Sequence, residues 1–266
     1  MHGIGNDFIV IDCRSRAIPR LSRVIKRLSH RRFGIGFDQA LILLPSMVAD
    51  FRMDIYNGDG GRVEMCGNGI RCLAKYIWER ELSANDPLTI ETLAGIIRPQ
   101  RAGRQVKVDM GEPILDGERI PVKKSGQVVD HPLKVGGRKF LITAVSMGNP
   151  HCVIFVDDVD NFPLERFGAL LETNPFFPER VNVEFVEVAS ERALKMRVWE
   201  RGAGETLACG TGACATVVAA TLKGLIGGTA TVHLKGGNLK IGWSKRNNRV
   251  FMAGPAEEVF EGAVEI

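Results

Sequence analysis

Short runs in which apolar and polar residues alternate cover much of the chain and predict a fold rich in β-strands. Ala94-Gly95 and Gly136-Gly137 each lie between two such runs, a pattern typical of hairpins. The predicted strands are Phe8–Ile11, Gln39–Leu44, Phe51–Tyr56, Leu88–Thr92, Ile96–Arg98, Val128–Val135, Lys139–Val145, Val181–Val188, Leu194–Trp199, Thr229–Leu234, Leu239–Trp243 and Val259–Ile266.

Three segments have helical spacing instead. Leu21–Leu28 carries apolar residues at helical spacing with basic residues between them. A second helix begins near Gly69, and from Ile70 onward its apolar residues recur at i, i+3, i+4, i+7 and i+8. The third, Gly212–Leu225, has almost no polar side chain before Lys223, so we expect it to be buried. Strands on both sides of the last two helices predict two mixed units, each a sheet around one helix.

The two longer predicted helices begin with related sequences, Cys66-Gly67-Asn68-Gly69 and Cys209-Gly210-Thr211-Gly212, whose residue numbers differ by 143. The same offset relates three further pairs, Asn6 with Asn149, Gln39 with Asn182, and Asn57 with Glu200. Several landmarks in one register and in the same order indicate an internal duplication. We therefore expect two similar halves, with the functional site in the cleft between them.

Composition restricts the class of protein. Hydrophobic residues make up 45% and charged residues 25% of the 266 residues, which excludes disordered and collagen-like chains. The formal charge of +4 is not gathered into a basic block, so we expect no nucleic-acid partner. No apolar run reaches the ~18 residues of a membrane span, so we expect no membrane partner. Six cysteines without a C-x-x-C pair predict reduced thiols in the cytoplasm and no metal site.

A cysteine followed by Gly-x-Gly at a helix start fits three kinds of site. The first helical turn has unsatisfied N–H groups and a partial positive charge, and glycines let an anion approach the backbone. The same field favours the thiolate form of a cysteine. One such segment therefore predicts an anion-binding loop, a nucleophilic cysteine or only the beginning of a helix.

Two such segments related by duplication predict a more specific chemistry. If the two helix starts face each other, a carboxylate between them accepts N–H bonds from both, and the thiols of Cys66 and Cys209 flank the neighbouring carbon. One cysteine as thiolate would remove the α-proton, and the other as thiol would deliver a proton to the opposite face. Backbone N–H groups would stabilise the charge that develops on the carboxylate. This chemistry needs no cofactor, and we expect Cys13, Cys72, Cys152 and Cys214 to be packing residues.

Several longer motifs match one family. They are His2-Gly3-Ile4-Gly5-Asn6-Asp7-Phe8, Gly34-Ile35-Gly36-Phe37-Asp38-Gln39, Asn57-Gly58-Asp59-Gly60, Glu64-Met65-Cys66-Gly67-Asn68-Gly69-Ile70-Arg71-Cys72, Gly148-Asn149-Pro150-His151, Arg180-Val181-Asn182-Val183 and the run from Trp199 to Gly212. Through these motifs the chain resembles the diaminopimelate epimerases, cofactor-independent two-cysteine enzymes of lysine biosynthesis. The resemblance runs from residue 2 to the C-terminus.

The resemblance implies an α+β fold of two pseudo-symmetric domains, each a curved, mostly antiparallel, barrel-like sheet around a central helix. It implies a homodimer that interconverts LL- and meso-2,6-diaminopimelate, precursors of lysine and peptidoglycan, with Cys66 and Cys209 as the acid and base. The domains implied are residues 1–110 with a C-terminal strand, 255–266, and residues 111–254. Family members have a short strand before the first motif, so we expect this chain to begin downstream of its natural start.

The resemblance also implies the substrate-binding residues. Backbone N–H groups of Gly67, Asn68, Gly210 and Thr211 would hold the α-carboxylate. The rest of the substrate would be held by Asn6, Gln39, Asn57, Asn149, Asn182, Glu200 and Arg201. Arg201 suits the distal carboxylate and Glu200 an ammonium group, since diaminopimelate has two zwitterionic ends. His151 and Glu200 would bias the protonation of the thiols.

Other functions stay open at this stage. A related racemase or epimerase acting on proline, hydroxyproline or histidine has the same cysteine pair, although Arg201 favours a substrate with a second charged end. A binding protein that has lost catalysis is a different class, which the intact Cys66 and Cys209 disfavour. A cysteine hydrolase would use His151 as its base and would leave the second matched cysteine without a role.

Overall fold

The computed structural model describes residues 1–266, and the chain forms two compact units. Unit 1 comprises Met1–Asp109 and Ala253–Ile266, and unit 2 comprises Met110–Met252. None of the helices combines the length and the apolar character that a membrane-spanning helix requires.

Unit 1 is a mixed sheet with two helices and an additional hairpin. Its elements are β1 (His2–Gly3), β2 (Asn6–Asp12), α1 (Leu21–Leu28), β3 (Gln39–Leu44), β4 (Phe51–Asn57), β5 (Arg62–Val63), α2 (Gly67–Glu79), β6 (Ile90–Thr92), β7 (Gly95–Ile97), β8 (Gln100–Ala102) and β9 (Gln105–Asp109). The sheet order is β1-β2-β3-β4-β6-β7 with β5 on β4, and most neighbours are antiparallel.

Strand β3 is buried on both faces because a helix covers each side of the sheet. Ala40 and Ile42 pack in one apolar cluster with Ile25 and Leu28 of α1. Leu41, between them, points the other way, toward the start of α2. This alternation explains the apolar run of β3 and makes α2, with nine of its residues buried, the central helix of the unit.

Unit 2 repeats this plan. Its elements are a short 3-10 helix (Gly117–Arg119), β10 (His131–Val135), β11 (Arg138–Ser146), β12 (Pro150–Phe155), α3 (Leu164–Glu172), β13 (Asn182–Ser190), β14 (Ala193–Glu200), β15 (Gly204–Thr206), α4 (Gly210–Leu222), β16 (Thr229–Leu234), β17 (Gly237–Ser244) and β18 (Arg249–Gly254), which runs across the boundary at Met252. The strands follow the order β10-β11-β12-β13-β14-β16-β17, with β15 on β14.

Strand β13 takes the place of β3. Val183 and Phe185 pack in one cluster with Leu164 and Phe167 of α3. Glu184, between them, faces the start of α4. A buried carboxylate therefore lies where unit 1 has a buried leucine.

The strand registers confirm the predicted duplication. Three features of unit 1 recur in unit 2 with residue numbers 143 higher: the parallel pair Phe8–Gln39 as His151–Asn182, the antiparallel pair Ile55–Val63 as Val198–Thr206, and the first residue of α1, Leu21, as Leu164 of α3. The later pair Ile90–Ile97 recurs as Val232–Leu239, 142 higher. The two units are thus two copies of one topology.

The C-terminal strand expected over 255–266 is wrong. This segment belongs to unit 1, but its only ladder contact is a bridge between Glu257 and His2. Val259 and Phe260 are 62% and 69% exposed, so this part of the segment lies on the surface of the unit and pairs with no strand. Glu258 instead forms an ion pair with Arg80.

Candidate active site

Cys66 is the N-cap of the central helix of unit 1. Its backbone is extended, with φ −140° and ψ 113°, and its Sγ accepts a hydrogen bond from the N–H of Gly69 at 3.4 Å. The helix therefore begins at Gly67, two residues before the predicted start. As in any first helical turn, the N–H groups of Gly67 and Asn68 have no acceptor within the helix and are directed outward from its end.

Asn6 lies beside this thiol and is oriented by charged neighbours. Its Nδ2 donates to Asp38 Oδ2 at 2.9 Å, so its Oδ1 faces the helix start. There Oδ1 accepts from Asn68 Nδ2 at 3.2 Å and from Cys66 Sγ at 3.8 Å. Asp38 is itself held by Arg31, with 2.7 Å between guanidinium and carboxylate. The thiol, an amide and a helix N-terminus thus form one cluster in unit 1.

Gln39 and Asn57 form a second amide pair on neighbouring strands β3 and β4. Gln39 Nε2 donates to Asn57 Oδ1 at 2.9 Å. Gln39 Oε1 and Asn68 Oδ1 are buried and have no hydrogen-bond partner. Two amide oxygens of unit 1 are therefore available as acceptors for a donor such as an ammonium group.

Cys209 caps the central helix of unit 2 in the same way. It has φ −128° and ψ 110°, and its Sγ accepts from the N–H of Gly212 at 3.4 Å. Sγ also lies 3.5 Å from the Thr211 hydroxyl. Helix α4 therefore begins at Gly210, again two residues before the predicted start, because the cysteine side chain supplies the cap.

The Cys209 thiol is held in its protonated form. Burial raises the pKa of Cys209 well above its usual value, and the carboxylates of Glu200 and Glu184 raise it further. Burial also raises the pKa of Glu200, against the hydrogen bonds from Thr206 and from Cys209 that favour its charged form. In unit 2 the thiol is therefore a proton donor beside a carboxylate.

His151 is fully buried between two polar groups. Its Nδ1 lies 2.7 Å from Glu184 Oε1, and its Nε2 lies 2.9 Å from Asn149 Oδ1. Glu184 is also fully buried, and its Oε1 lies at the start of α4, beside Gly212. Asn149, His151 and the region of Cys209 are thus connected through one side-chain network.

Asn182 is the first residue of β13, and Arg201 follows the last residue of β14. Asn182 Nδ2 donates to the carbonyl of Pro150 at 2.9 Å, and Asn182 Oδ1 accepts from the backbone N–H of Arg201 at 3.0 Å. The exposed Arg201 guanidinium donates to the carbonyl of Glu179. The turn that follows is fixed by buried Glu172, which accepts from the N–H of Gly202 at 2.9 Å.

Of the residues predicted for the site, six belong to unit 1 and eight to unit 2. Unit 1 holds Asn6, Gln39, Asn57, Cys66, Gly67 and Asn68, and unit 2 holds Asn149, His151, Asn182, Glu200, Arg201, Cys209, Gly210 and Thr211. Sequence reasoning missed Asp38 and Glu184, which contact these residues directly. An acidic residue inside the apolar run of β13 was the signal for Glu184.

Known proteins match the chain in both of its units. The family model described as diaminopimelate epimerase matches residues 1–115 and 143–259. A diaminopimelate epimerase of Synechocystis sp. is 53% identical over 271 residues, covering 100% of this chain and 97% of the relative. One of Acetivibrio thermocellus is 50% identical over 273 residues, with the same coverage.

Solved structures share the fold at low sequence identity. A PhzF-family phenazine biosynthesis protein of Bacillus anthracis has a TM-score of 0.72 at 20% identity, covering 100% of this chain and 95% of the other. A probable proline racemase of Agrobacterium radiobacter has a TM-score of 0.65 at 16% identity, covering 93% and 82%. These likenesses establish the predicted two-copy α+β architecture. Given the family match in both halves and relatives that are half identical over their full length, the chain belongs to the diaminopimelate epimerase family.

Proposed function

We propose that this chain interconverts LL- and meso-2,6-diaminopimelate by moving the proton of one α-carbon between Cys66 and Cys209. One observation carries the proposal. The two cysteines, at positions matched by the duplication, cap equivalent helices, and each Sγ accepts from the third N–H of its helix at 3.4 Å. A packing cysteine needs no such placement, whereas an acid–base pair acting on a group bound at helix N-termini does.

The protonation of Cys209 sets the first step. Since burial and two carboxylates raise its pKa, Cys209 enters the reaction as the thiol. Cys66, after losing to solvent the proton that it donates to Asn6 Oδ1, takes the α-proton as thiolate. Cys209 gives its proton to the opposite face of the planar carbanion. The reaction ends with Cys66 as thiol and Cys209 as thiolate, and the reverse reaction exchanges the roles.

Each part of the substrate is assigned to a subset of the residues predicted for the site. The N–H groups of Gly67, Asn68, Gly210 and Thr211 would hold the α-carboxylate and stabilise its charge in the transition state. The unpaired oxygens of Gln39 and Asn68 suit an ammonium group. The remaining binding groups of the proposal are Asn6, Asn57, Asn149, Asn182, Glu200 and Arg201. His151 and Glu200 would adjust the protonation of the thiols.

The decisive experiment is incubation of the reduced protein with LL-diaminopimelate in deuterated water. We expect deuterium at the α-carbon and formation of the meso isomer. Cys66→Ser and Cys209→Ser should each abolish formation of the meso isomer, while Cys13→Ala, which changes a buried cysteine outside the predicted site, should retain it. Near-full turnover by either serine variant would exclude the two-base mechanism.

A substrate panel separates the proposal from its alternatives. Proline, hydroxyproline and histidine should show no exchange under the same conditions. Faster exchange of any of them than of diaminopimelate would identify a related racemase, and binding of diaminopimelate without exchange would identify an inactive relative.

We further propose that the chain is a cytoplasmic homodimer that needs neither a metal nor an organic cofactor. Light scattering should give twice the chain mass of 29.2 kDa. Deuterium incorporation should be unchanged after treatment with a metal chelator. A monomeric mass or loss of activity on chelation would contradict the respective part.

A further inference from the structure

Arg71 is the largest of the completely buried side chains of the protein. It is the fifth residue of α2, and the fifth residue of α4, at the matching position of unit 2, is the equally buried Cys214. Taking a guanidinium out of water is strongly unfavourable before its contacts are counted. Since one copy of the fold has a thiol in this place, the topology alone does not explain the cation.

The guanidinium of Arg71 lies between the start of the helix and two other parts of unit 1. Nη1 donates to the carbonyl of Gly67 at 3.1 Å, and Nε donates to the carbonyl of Pro255 at 3.2 Å. A Cβ added at Gly3 would lie 3.0 Å from Nη2, so the backbone of β1 packs against the same group. Because a guanidinium is always protonated, a permanent positive charge is fixed beside the first carbonyl of α2.

The carbonyl of Gly67 and the N–H of Asn68 belong to one peptide group. This group is trans, and the C=O and N–H bonds of a planar trans peptide point in opposite directions. With its oxygen held on Arg71, the group therefore directs the N–H outward from the start of the helix. A hydrogen bond from an ionised donor is roughly twice as strong as a neutral one, and it polarises the peptide, which makes the N–H a better donor.

We propose that Arg71 is a positioning residue: by holding the carbonyl of Gly67, it orients and polarises the Asn68 N–H that binds the α-carboxylate. This inference rests on the proposed function, in which that N–H holds the substrate. Negative charge on the carboxylate grows as the α-proton leaves, so a stronger donor stabilises the transition state more than the bound substrate. Arg71 thus speeds proton transfer without contacting the substrate.

NMR of the protein without substrate tests the effect on the peptide group. The signal of a carbonyl carbon moves downfield when its oxygen accepts a hydrogen bond. Arg71→Met removes the charged donor, so the 13C signal of the Gly67 carbonyl should move upfield. The carbonyl of Gly210, the matching residue of unit 2, is the internal reference and should keep its position. An unmoved Gly67 signal in Arg71→Met would overturn the proposal, whether or not the chain proves to be an epimerase.

The rate of formation of the meso isomer tests the effect on the reaction. In Arg71→Met we expect kcat, expressed per folded protein, to fall about tenfold, because one of the four N–H donors is weakened and none is removed. KM should rise less than kcat falls, since the bound substrate carries less charge on its carboxylate than the transition state. Wild-type kcat in Arg71→Met would overturn the proposal.

Two control variants separate this role from a structural one. Ile77→Ala removes a fully buried side chain of the same helix, so it lowers stability without changing the contacts of Gly67. Arg80→Met removes the ion pairs that join the end of α2 to Glu258 and Glu261 of the C-terminal segment. Both variants should keep the wild-type Gly67 signal and the wild-type kcat per folded protein. A tenfold loss of kcat in either of them would overturn the proposal.

Two further substitutions of Arg71 complete the test. Arg71→Lys keeps the charge, so the Gly67 signal and kcat should both return toward wild-type values. Arg71→Cys copies unit 2 and should behave as Arg71→Met does, which provides a second neutral variant if the methionine variant does not fold. Recovery of the signal without recovery of kcat, or the reverse, would overturn the proposal. Failure of both neutral variants to fold would also overturn it, because the fold itself would then require the cation.

Discussion

Two equivalent glycines allow a matched test of how the central helices meet their sheets. Gly69 and Gly212 each donate the capping N–H to a cysteine. A Cβ added at Gly69 would lie 2.8 Å from Leu41 Cδ2, and one added at Gly212 would lie 2.7 Å from Glu184 Oε1. The same substitution, glycine to alanine, therefore places a methyl group against a leucine in unit 1 and against a glutamate in unit 2.

The two substitutions should differ in free energy. Extra bulk in a packed position costs about 1–3 kcal/mol, and alanine in a helix returns up to about 1 kcal/mol relative to glycine. Gly69→Ala should therefore lower the free energy of unfolding by about 1 kcal/mol, since a leucine methyl group can rotate away. Glu184 can retreat only by leaving His151, and the loss of that buried hydrogen bond adds about 2 kcal/mol. Gly212→Ala should therefore cost about 3 kcal/mol.

Urea unfolding measures the free energy of unfolding of each variant. Deuterium incorporation into diaminopimelate measures its kcat/KM. We expect Gly212→Ala to lower kcat/KM at least tenfold more than Gly69→Ala, because it also separates Glu184 from His151. Equal effects of the two variants on stability and activity, or a larger effect at Gly69, would refute the reasoning.

Three further substitutions test single contacts. Asp38→Ala removes the acceptor that orients Asn6, so KM should rise roughly fivefold in steady-state assays while kcat changes little. Burial raises the pKa of Glu200, so the folded chain binds that proton more tightly than the unfolded chain, and the free energy of unfolding falls as the pH rises above the usual glutamate pKa of about 4.3. Glu200→Gln should flatten this fall in urea titrations while removing activity. Arg71→Met loses bonds to the carbonyls of Gly67 and Pro255 and should cost about 3 kcal/mol in the same unfolding assay.

Periodicity in the sequence predicted the bounds of elements that have one apolar face or are buried throughout. Helix α1 and strands β3 and β16 have the predicted bounds, and the constant offset between the two copies anticipated the matching registers. Helix α3 was not predicted, although it is the counterpart of α1 in the second copy and the duplication could have identified it. The expected strand at 255–266 failed because an alternating pattern says nothing about whether a partner strand exists.

The candidate site could be predicted as far as residue type and register go. Cysteine, glycine and asparagine at positions matched by the duplication can be recognised from the sequence alone. The roles of Asp38 and Glu184 are not, because each acts by orienting a neighbour through a contact between distant parts of the chain. Nor does the sequence reveal that Cys209 is held as a thiol, since burial is the main cause of its raised pKa.

The discontinuous make-up of unit 1 has a consequence for the order of events during synthesis. Unit 2 is contiguous, whereas unit 1 requires residues that are made after unit 2. Among these, Pro255 accepts from Arg71, which also binds the carbonyl of Gly67 next to Cys66, and Glu257 pairs with His2. The second-made half can therefore fold before the first is complete. The start of α2 acquires its last contacts only after Pro255 has been made, so the nascent protein completes the surroundings of Cys209 before those of Cys66.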